Sequence, residues 1–418
     1  MRIYFSGIGG VGIGPLAIIA HDAGYEVLGS DKFESLITSE LTSRAISYSL
    51  DQTGETLVRE HAKAQFDWFV YTAALPPNHP ELLRAKELGI RTAKRDELLA
   101  HIIETKNLKL IAVAGTHGKT TTTGMMVWAL KQLGIPVSYS IGTTLGWGPS
   151  GKYDPKSEYF VYECDEFDRN FLHFSPHISL ITSIEHDHPD TYPTEADYMA
   201  AFRQFIHQSE QSILWQQDAN RVGTSDASAW CLQDDEVLQL TLAGEHNRRN
   251  GTLVLKALER LGIGENKANS DTLATFPGTN RRFEKLGENL YSDYGHTPTE
   301  ITATLQMASE LAEDVVLVYQ PHQNIRQYEI RDQYTDKVFE KAERIYWLPT
   351  YLSREDPSLE ILTPKELIEN LSNATDVHIA EFNDELVAAL QTARQAGKLV
   401  LCMGAGTIDD WCRSQFIS

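Results

Sequence analysis

Short apolar runs recur along the whole chain, separated by stretches in which apolar positions return every three to four residues. The runs read as buried strands and the periodic stretches as helices lying on a sheet. Their alternation predicts an α/β fold, with parallel sheets covered by helices. The first unit is a strand at residues 2–6, a glycine-rich turn and a helix at 15–23, with further strands expected at 25–28 and 66–72. A strand at 108–114 runs into a second glycine turn, and a helix at 121–133 stops at Gly134. Apolar strands at 158–162 and 178–183 both lead into acidic residues. Strands at 315–319, 344–348, 377–380 and 399–403, separated by helical segments, make a third α/β unit. The polar stretch 219–236 has no clear period and receives no element. The polar segment 104–107 and the turn-rich, arginine-rich segment 276–282 mark the expected boundaries of domains at 1–106, 107–281 and 282–418.

Composition narrows the function. A length of 418 residues fits two to four domains, large enough to fold without disulfides. The formal net charge of −21 argues against a nucleic-acid partner, which requires a basic face to displace counterions. The 4 cysteines show no CxxC spacing, as expected of a reducing compartment. No apolar run is long enough to span a bilayer, and the glycine-rich N-terminus does not read as a signal peptide. The expectation is a soluble, cytoplasmic chain with no membrane partner.

Four clusters carry candidate chemistry. The strand at 108–114 feeds Gly115-Thr116-His117-Gly118-Lys119-Thr120. Glycines let backbone amides turn toward a phosphate, and the helix N-terminus adds partial positive charge. Lys119 can reach β- and γ-phosphates and Thr120 can ligate Mg²⁺. The general template wants a glycine where Val113 stands. Glu163, Asp165, Glu166 and Asp168 follow the next strand, where a ligand of a parallel sheet gathers; a solvated acidic turn would look the same. The third strand end carries Glu185-His186-Asp187-His188-Pro189-Asp190, a histidine–carboxylate mix suited to a second divalent ion or a transition metal. Gly7-x-Gly9-x-x-Gly12 followed by Asp31 fits a dinucleotide fingerprint. That turn serves NAD or any other pyrophosphate, including that of a nucleotide sugar, so a NAD-dependent oxidoreductase stays open on this block alone.

Taken together, these blocks resemble the Mur ligases, the ATP-dependent amino-acid ligases of peptidoglycan synthesis. The resemblance runs through the blocks above and continues with Asp187-His188-Pro189-Asp190-Thr191-Tyr192, Gly244-Glu245-His246-Asn247-Arg248-Arg249-Asn250, Arg281-Arg282-Phe283 and Asp293-Tyr294-Gly295-His296. It implies three domains: an N-terminal Rossmann-like one, a central P-loop ATPase-like one and a C-terminal Rossmann-like one. The N-terminal glycines, Asp293-Tyr294-Gly295-His296 and the segment from Gln320 to Arg326 most resemble the branch that joins L-alanine to UDP-N-acetylmuramate. The alternative within the family is the recycling branch that attaches an intact tripeptide.

The resemblance also implies roles. Gly115, Thr116, Gly118, Lys119, Thr120 and Thr121 would hold the ATP phosphates, Asn247 and Asn250 the adenine, and Arg282 and Asp293 the phosphates and ribose. Thr120 and Glu163 would hold one Mg²⁺ and His188 a second. Tyr294, His296, His322 and Arg326 would line the amino-acid site, and Gly9, Gly10, Val11, Gly12, Asp31 and the segment 72–75, with Thr72, would hold the UDP portion. Lys119, Glu163, His188, His322 and Arg326 are the implied catalytic set, in a monomer or homodimer. Two positions depart from the family pattern, Thr297 where a second histidine is common and Gln323 where an arginine is common. They leave room for a degenerate ligase that only senses nucleotide. No lysine follows His188 through Phe202, in keeping with the alanine and tripeptide branches.

Overall fold

In the computed structural model the apolar runs assemble into three mostly parallel sheets. The structure describes all residues except 11, 73–74, 189–190, 225–226, 264–269, 354, 373–374 and 418. The first sheet holds β1 (Arg2–Ser6), β2 (Glu26–Ser30), β3 (Ser47–Ser49), β4 (Trp68–Tyr71) and β5 (Arg91–Lys94) in the order β3-β2-β1-β4-β5, all parallel. Ile3, Tyr4 and Phe5 are fully buried, so the central strand reads as a continuous apolar run rather than an alternating one. The strand order reverses at β1, and the first glycine turn leaves its carboxyl end, where an open parallel sheet forms its ligand crevice.

The second sheet repeats this logic with β6 (Lys109–Ala114), β7 (Val137–Ser140), β8 (Gly151–Lys152), β9 (Tyr159–Glu163), β10 (Ile178–Ile181), β11 (Ser212–Trp215) and β12 (Ala229–Leu232). Its order is β12-β11-β10-β6-β9-β7-β8, and only β8 is antiparallel to its neighbour. β6 therefore lies between β9 and β10, which brings the second glycine turn beside both acidic strand ends. The helix after that turn spans Lys119–Gln132, two residues earlier than the sequence pattern suggests. Gly118, at φ 83, turns the chain directly into the helix.

The stretch 219–236 holds the end of helix Gln216–Val222, strand β12 and a single turn at Asp234–Glu236. Its missing period has a physical reason: β12 is an edge strand and only Leu232 of it is buried.

The third sheet contains β13 (Glu284–Gly287), β14 (Leu290–Asp293), β15 (Val315–Tyr319), β16 (Arg344–Trp347), β17 (Val377–Ile379) and β18 (Leu399–Met403) in the order β13-β14-β18-β15-β16-β17. Only β13 runs antiparallel to its partner. Tyr319, Tyr334 and Trp347 meet edge to face in the core on one side.

The chain divides into two compact units, Met1–Leu238 with Asn250–Phe276, and Gln239–Arg249 with Pro277–Ser418. The first two sheets belong to the first unit and share a continuous apolar core from Ile3 to Val222. Helix Glu245–Arg260 carries the dividing line, between Arg249 and Asn250. Among the described residues no helix is long and apolar enough to cross a membrane.

Candidate active site

The second glycine turn is shaped by the strand beside it. Gly115 stands at φ +135, and a Cβ there would lie 2.8 Å from Ser183 O and collide with the Thr182 hydroxyl. Gly118 stands at φ +83 with the buried Asn250 amide against it, 2.9 Å from where a Cβ would sit. Only glycine meets both demands, in backbone angle and in space. The turn is then tied down: the Thr116 and His117 amides donate to Ser183 O and Oγ at 2.9 and 3.1 Å. Thr116 Oγ1 donates to Glu185 O at 2.8 Å and lies 2.8 Å from the buried Tyr198 hydroxyl.

Lys119 folds back over this turn. Its ammonium donates to Gly115 O at 2.6 Å, to Thr116 O at 3.2 Å, and to both Glu166 carboxylate oxygens at 2.8 and 3.1 Å. Burial works against the charge, but the carboxylates of Glu166 and Asp165 outweigh it and raise the lysine pKa above its ordinary value. Glu166 responds in kind. Burial would raise its pKa, and Lys119 with His188 reverses this and holds it below the ordinary glutamate value.

One residue along, Thr120 Oγ1 donates to Glu163 Oε1 at 2.7 Å, and Thr121 follows on the same first helical turn. His188, in the left-handed region at φ 58, places Nε2 3.7 Å from Glu166 Oε1. Burial opposes its charged form, but Glu166 and Asp187 raise its pKa above the ordinary histidine value. Asp165 is pushed up by burial, with Lys119 offsetting part of that. Ligand atoms of Asp165, Glu166 and His188 lie within 4.8 Å of one another. A hydroxyl, carboxylates and an imidazole thus converge on the phosphate turn, a donor set that suits a hard divalent cation.

The first glycine turn closes on Asp31. Gly9 N donates to Asp31 Oδ2 at 2.7 Å, and Lys32 N donates to the other oxygen at 2.7 Å. Asp31 therefore orders the turn itself. A Cβ on Gly9 would lie 2.8 Å from Thr38 Cγ2, so the backbone can approach only as glycine. Gly10 N donates to Gly7 O at 3.0 Å, the Arg95 guanidinium lies against Gly12, and the Thr72 methyl lies against Gly7. Val11, and Ala73 and Ala74 of the segment 72–75, lie outside the described residues.

The second unit gathers the remaining positions. Asp293 is buried and accepts the Gly295 and Phe283 amides at 2.7 and 2.8 Å; burial raises its pKa, with Arg282 pulling the other way. The Arg281 and Arg282 guanidinium groups lie 4.8 and 5.0 Å from the Tyr294 ring. His296 meets Tyr294 and His322 edge to face, and His322 stacks flat on Tyr351 at 5.6 Å. Burial and the neighbouring His296 and Arg326 push His322 down to about 4, so it is neutral near pH 7. Arg326 lies 3.6 Å from Glu329. Asn247 donates to Ala243 O at 3.0 Å and touches Met307 Sδ.

Of the two departures, Thr297 has a local explanation in its side chain and Gln323 has none. Thr297 caps helix Pro298–Ser309, exchanging hydrogen bonds with Glu300 in a capping box. Gln323 takes φ +59 and its amide donates to Tyr351 O at 2.8 Å.

Known families match in the same order as the sheets. The model described as "Mur ligase family, catalytic domain" matches residues 2–107, "Mur ligase middle domain" matches 113–231, and "Mur ligase, glutamate ligase domain" matches 281–406. A UDP-N-acetylmuramate–L-alanine ligase of Carboxydothermus hydrogenoformans is 31% identical over 98% of this chain and 95% of its own length. The chain belongs to the Mur ligase family. A second relative of the same description, from Rhizobium meliloti, is 30% identical over 98% of this chain and 95% of its own. Among solved structures, a UDP-N-acetylmuramate-alanine ligase from Thermotoga maritima superposes with a TM-score of 0.76 at 24% identity, covering 99% of this chain and 98% of that one. A murein peptide ligase from Psychrobacter arcticus gives 0.63 at 22% identity over 99% and 98%. The Mur ligase architecture accounts for both glycine turns, and hydride transfer is no longer needed to explain the first.

Within this Mur ligase, spacing along the chain gave no sign of three contacts. The Glu166 pairing with Lys119 was hidden among adjacent acids. Tyr198 reaches the turn from a later helix, and Tyr351 reaches His322 from a loop.

Proposed function

We propose that this Mur ligase joins L-alanine to the lactyl carboxylate of UDP-N-acetylmuramate at the expense of ATP, in peptidoglycan synthesis. The observation that carries the reading is the convergence of Lys119, Thr120, Glu163 and His188 on one phosphate turn at adjoining strand ends. Relatives over nearly the full length of the chain bear the alanine ligase description. We assign UDP-sugar binding to 1–106, ATP binding to 107–281 and amino-acid binding to 282–418.

The lactyl carboxylate attacks the γ-phosphorus of ATP, ADP leaves, and an acyl phosphate forms. The amine of L-alanine attacks the acyl carbon, phosphate leaves, and the nitrogen loses a proton as the amide forms. Both steps gather negative charge, so stabilisation is chiefly electrostatic. Lys119 supplies a fixed positive charge over the turn. Gly115, Thr116, Gly118 and Thr121 shape the cradle, and Asn247 and Asn250 take the adenine. Thr120 and Glu163 would hold one Mg²⁺ and His188 a second, which would supply positive charge against the phosphates. Gly9, Gly10, Gly12 and Thr72 receive the UDP portion, on a turn that Asp31 holds in shape. Arg282 and Asp293 take the phosphates and ribose, and Tyr294, His296, His322 and Arg326 receive the amino acid.

The test is phosphate release by purified protein with UDP-N-acetylmuramate, ATP and Mg²⁺ against each amino acid and the muropeptide tripeptide. Release that depends on L-alanine is expected. Release with the tripeptide alone would move the chain to the recycling branch, and no release with any acceptor would overturn ligase activity.

A further inference from the structure

An ammonium has three hydrogens, and those of Lys119 are all directed at protein acceptors: Gly115 O, Thr116 O and the Glu166 carboxylate. It receives a phosphate oxygen only by releasing one of them. The two carbonyls are fixed by the backbone of the turn, whereas Glu166 is a side chain. Glu166 is fully buried, and its backbone oxygen accepts the Tyr192 hydroxyl at 2.6 Å. Its carboxylate lies 3.4 Å from the Tyr198 hydroxyl, which also contacts Thr116 of the turn. His188 Nε2 lies 3.7 Å from the same carboxylate oxygen, Oε1, that Tyr198 approaches. A second partner, the His188 imidazole with any cation it holds, is thus already beside the carboxylate once Lys119 leaves it.

We infer that Glu166 is a positioning residue that clamps Lys119 in the nucleotide-free enzyme and yields it to a phosphate when nucleotide binds. The carboxylate then turns to His188 and the divalent cation held there. This rests on the proposed use of the turn for ATP. It makes nucleotide and cation binding interdependent. Without a cation, Glu166 competes with the nucleotide for Lys119 and repels its phosphates. With a cation, its charge is neutralised and the penalty falls. Tyr198 holds the carboxylate in the clamping position.

The experiment is calorimetric titration of ATP into the full-length protein and into Glu166→Gln, each with EDTA and with Mg²⁺. Glu166→Gln is expected to bind ATP at least about fivefold more tightly than the unaltered protein in EDTA, and to gain less from Mg²⁺ by a similar factor. Lost packing alone would weaken binding in both buffers, so weaker or unchanged affinity in EDTA overturns the inference. If circular dichroism shows Glu166→Gln unfolded, Tyr198→Phe decides. It should bind ATP about twofold more tightly in EDTA, and unchanged affinity there overturns the inference. Failure of the unaltered protein to bind ATP with Mg²⁺ would instead refute the proposed function.

Discussion

Thr120 Oγ1 donates to Glu163 Oε1 at 2.7 Å, and the second oxygen of Glu163 accepts the Gly142 amide at 2.8 Å. The carboxylate at the end of β9 is therefore aimed at the first helical turn after the glycine loop. A hydroxyl and a carboxylate in contact share one cation readily. Glu163→Gln keeps the shape and removes the charge, so it should lower kcat by about 100-fold or more. Thr120→Val should raise the Mg²⁺ concentration needed for half-maximal rate. Phosphate release measured against Mg²⁺ checks both, and an unchanged Mg²⁺ profile in both variants would remove these residues from the metal site.

Two glycines at positive φ should respond very differently to alanine. Gly134, at φ +71, ends a helix and has nothing within 4 Å of a Cβ. Gly134→Ala should cost about 1 kcal/mol, the strain of a left-handed alanine. Gly115 adds a collision with Ser183 O and Thr182 to an angle almost reserved for glycine. Gly115→Ala should cost about 3 kcal/mol or more and abolish ATP binding. Urea unfolding of the pair side by side gives the comparison, and similar costs would contradict it.

Residues with a single possible reading were legible in the sequence. β6, β15 and β18 are buried along their length and show as apolar runs. Gly115 and Gly118 mark a turn because other residues rarely take those angles. β13 was not legible: its residues are only half-buried and its pairing with β14 is irregular between Lys285 and Gly287. Asp165 and Glu166 are equivalent as a sequence, and only the path of the chain after β9 aims the second at Lys119. The Tyr198 contact joins residues 82 apart in the chain, and no local spacing encodes it.

Arg248 and Glu310 form a two-pronged ion pair, with Nη1–Oε2 at 2.9 Å and Nη2–Oε1 at 2.8 Å. Glu310 also accepts the Gly244 amide, so the pair fixes the segment that carries Asn247. Arg248→Lys retains the charge but loses the fork. It should cost about 1 kcal/mol in stability and raise the KM for ATP more than it lowers kcat. Steady-state kinetics against ATP would show the split, and an equal loss in kcat alone would separate this segment from nucleotide binding.

Acid should weaken the second unit in two separate windows. His246 is pushed down to about 4 by burial, and His322 likewise to about 4 by burial with His296 and Arg326 beside it. In the unfolded chain both titrate near 6.5. Between those values the unfolded state binds more protons, so this contribution is whole above 6.5 and is lost as pH falls toward about 4. Glu310 acts lower. Arg248 holds it down to about 2, so its contribution is whole above 4.5 and is lost as pH falls toward about 2. The thermal midpoint should therefore fall already between pH 6.5 and pH 5, before any loss from Glu310. His246→Gln removes one titrating group of the upper window and should flatten the decline there while leaving the lower one. Calorimetric melting of the two proteins across this range supplies the measurement, and parallel curves would show that His246 is not a source of the acid sensitivity.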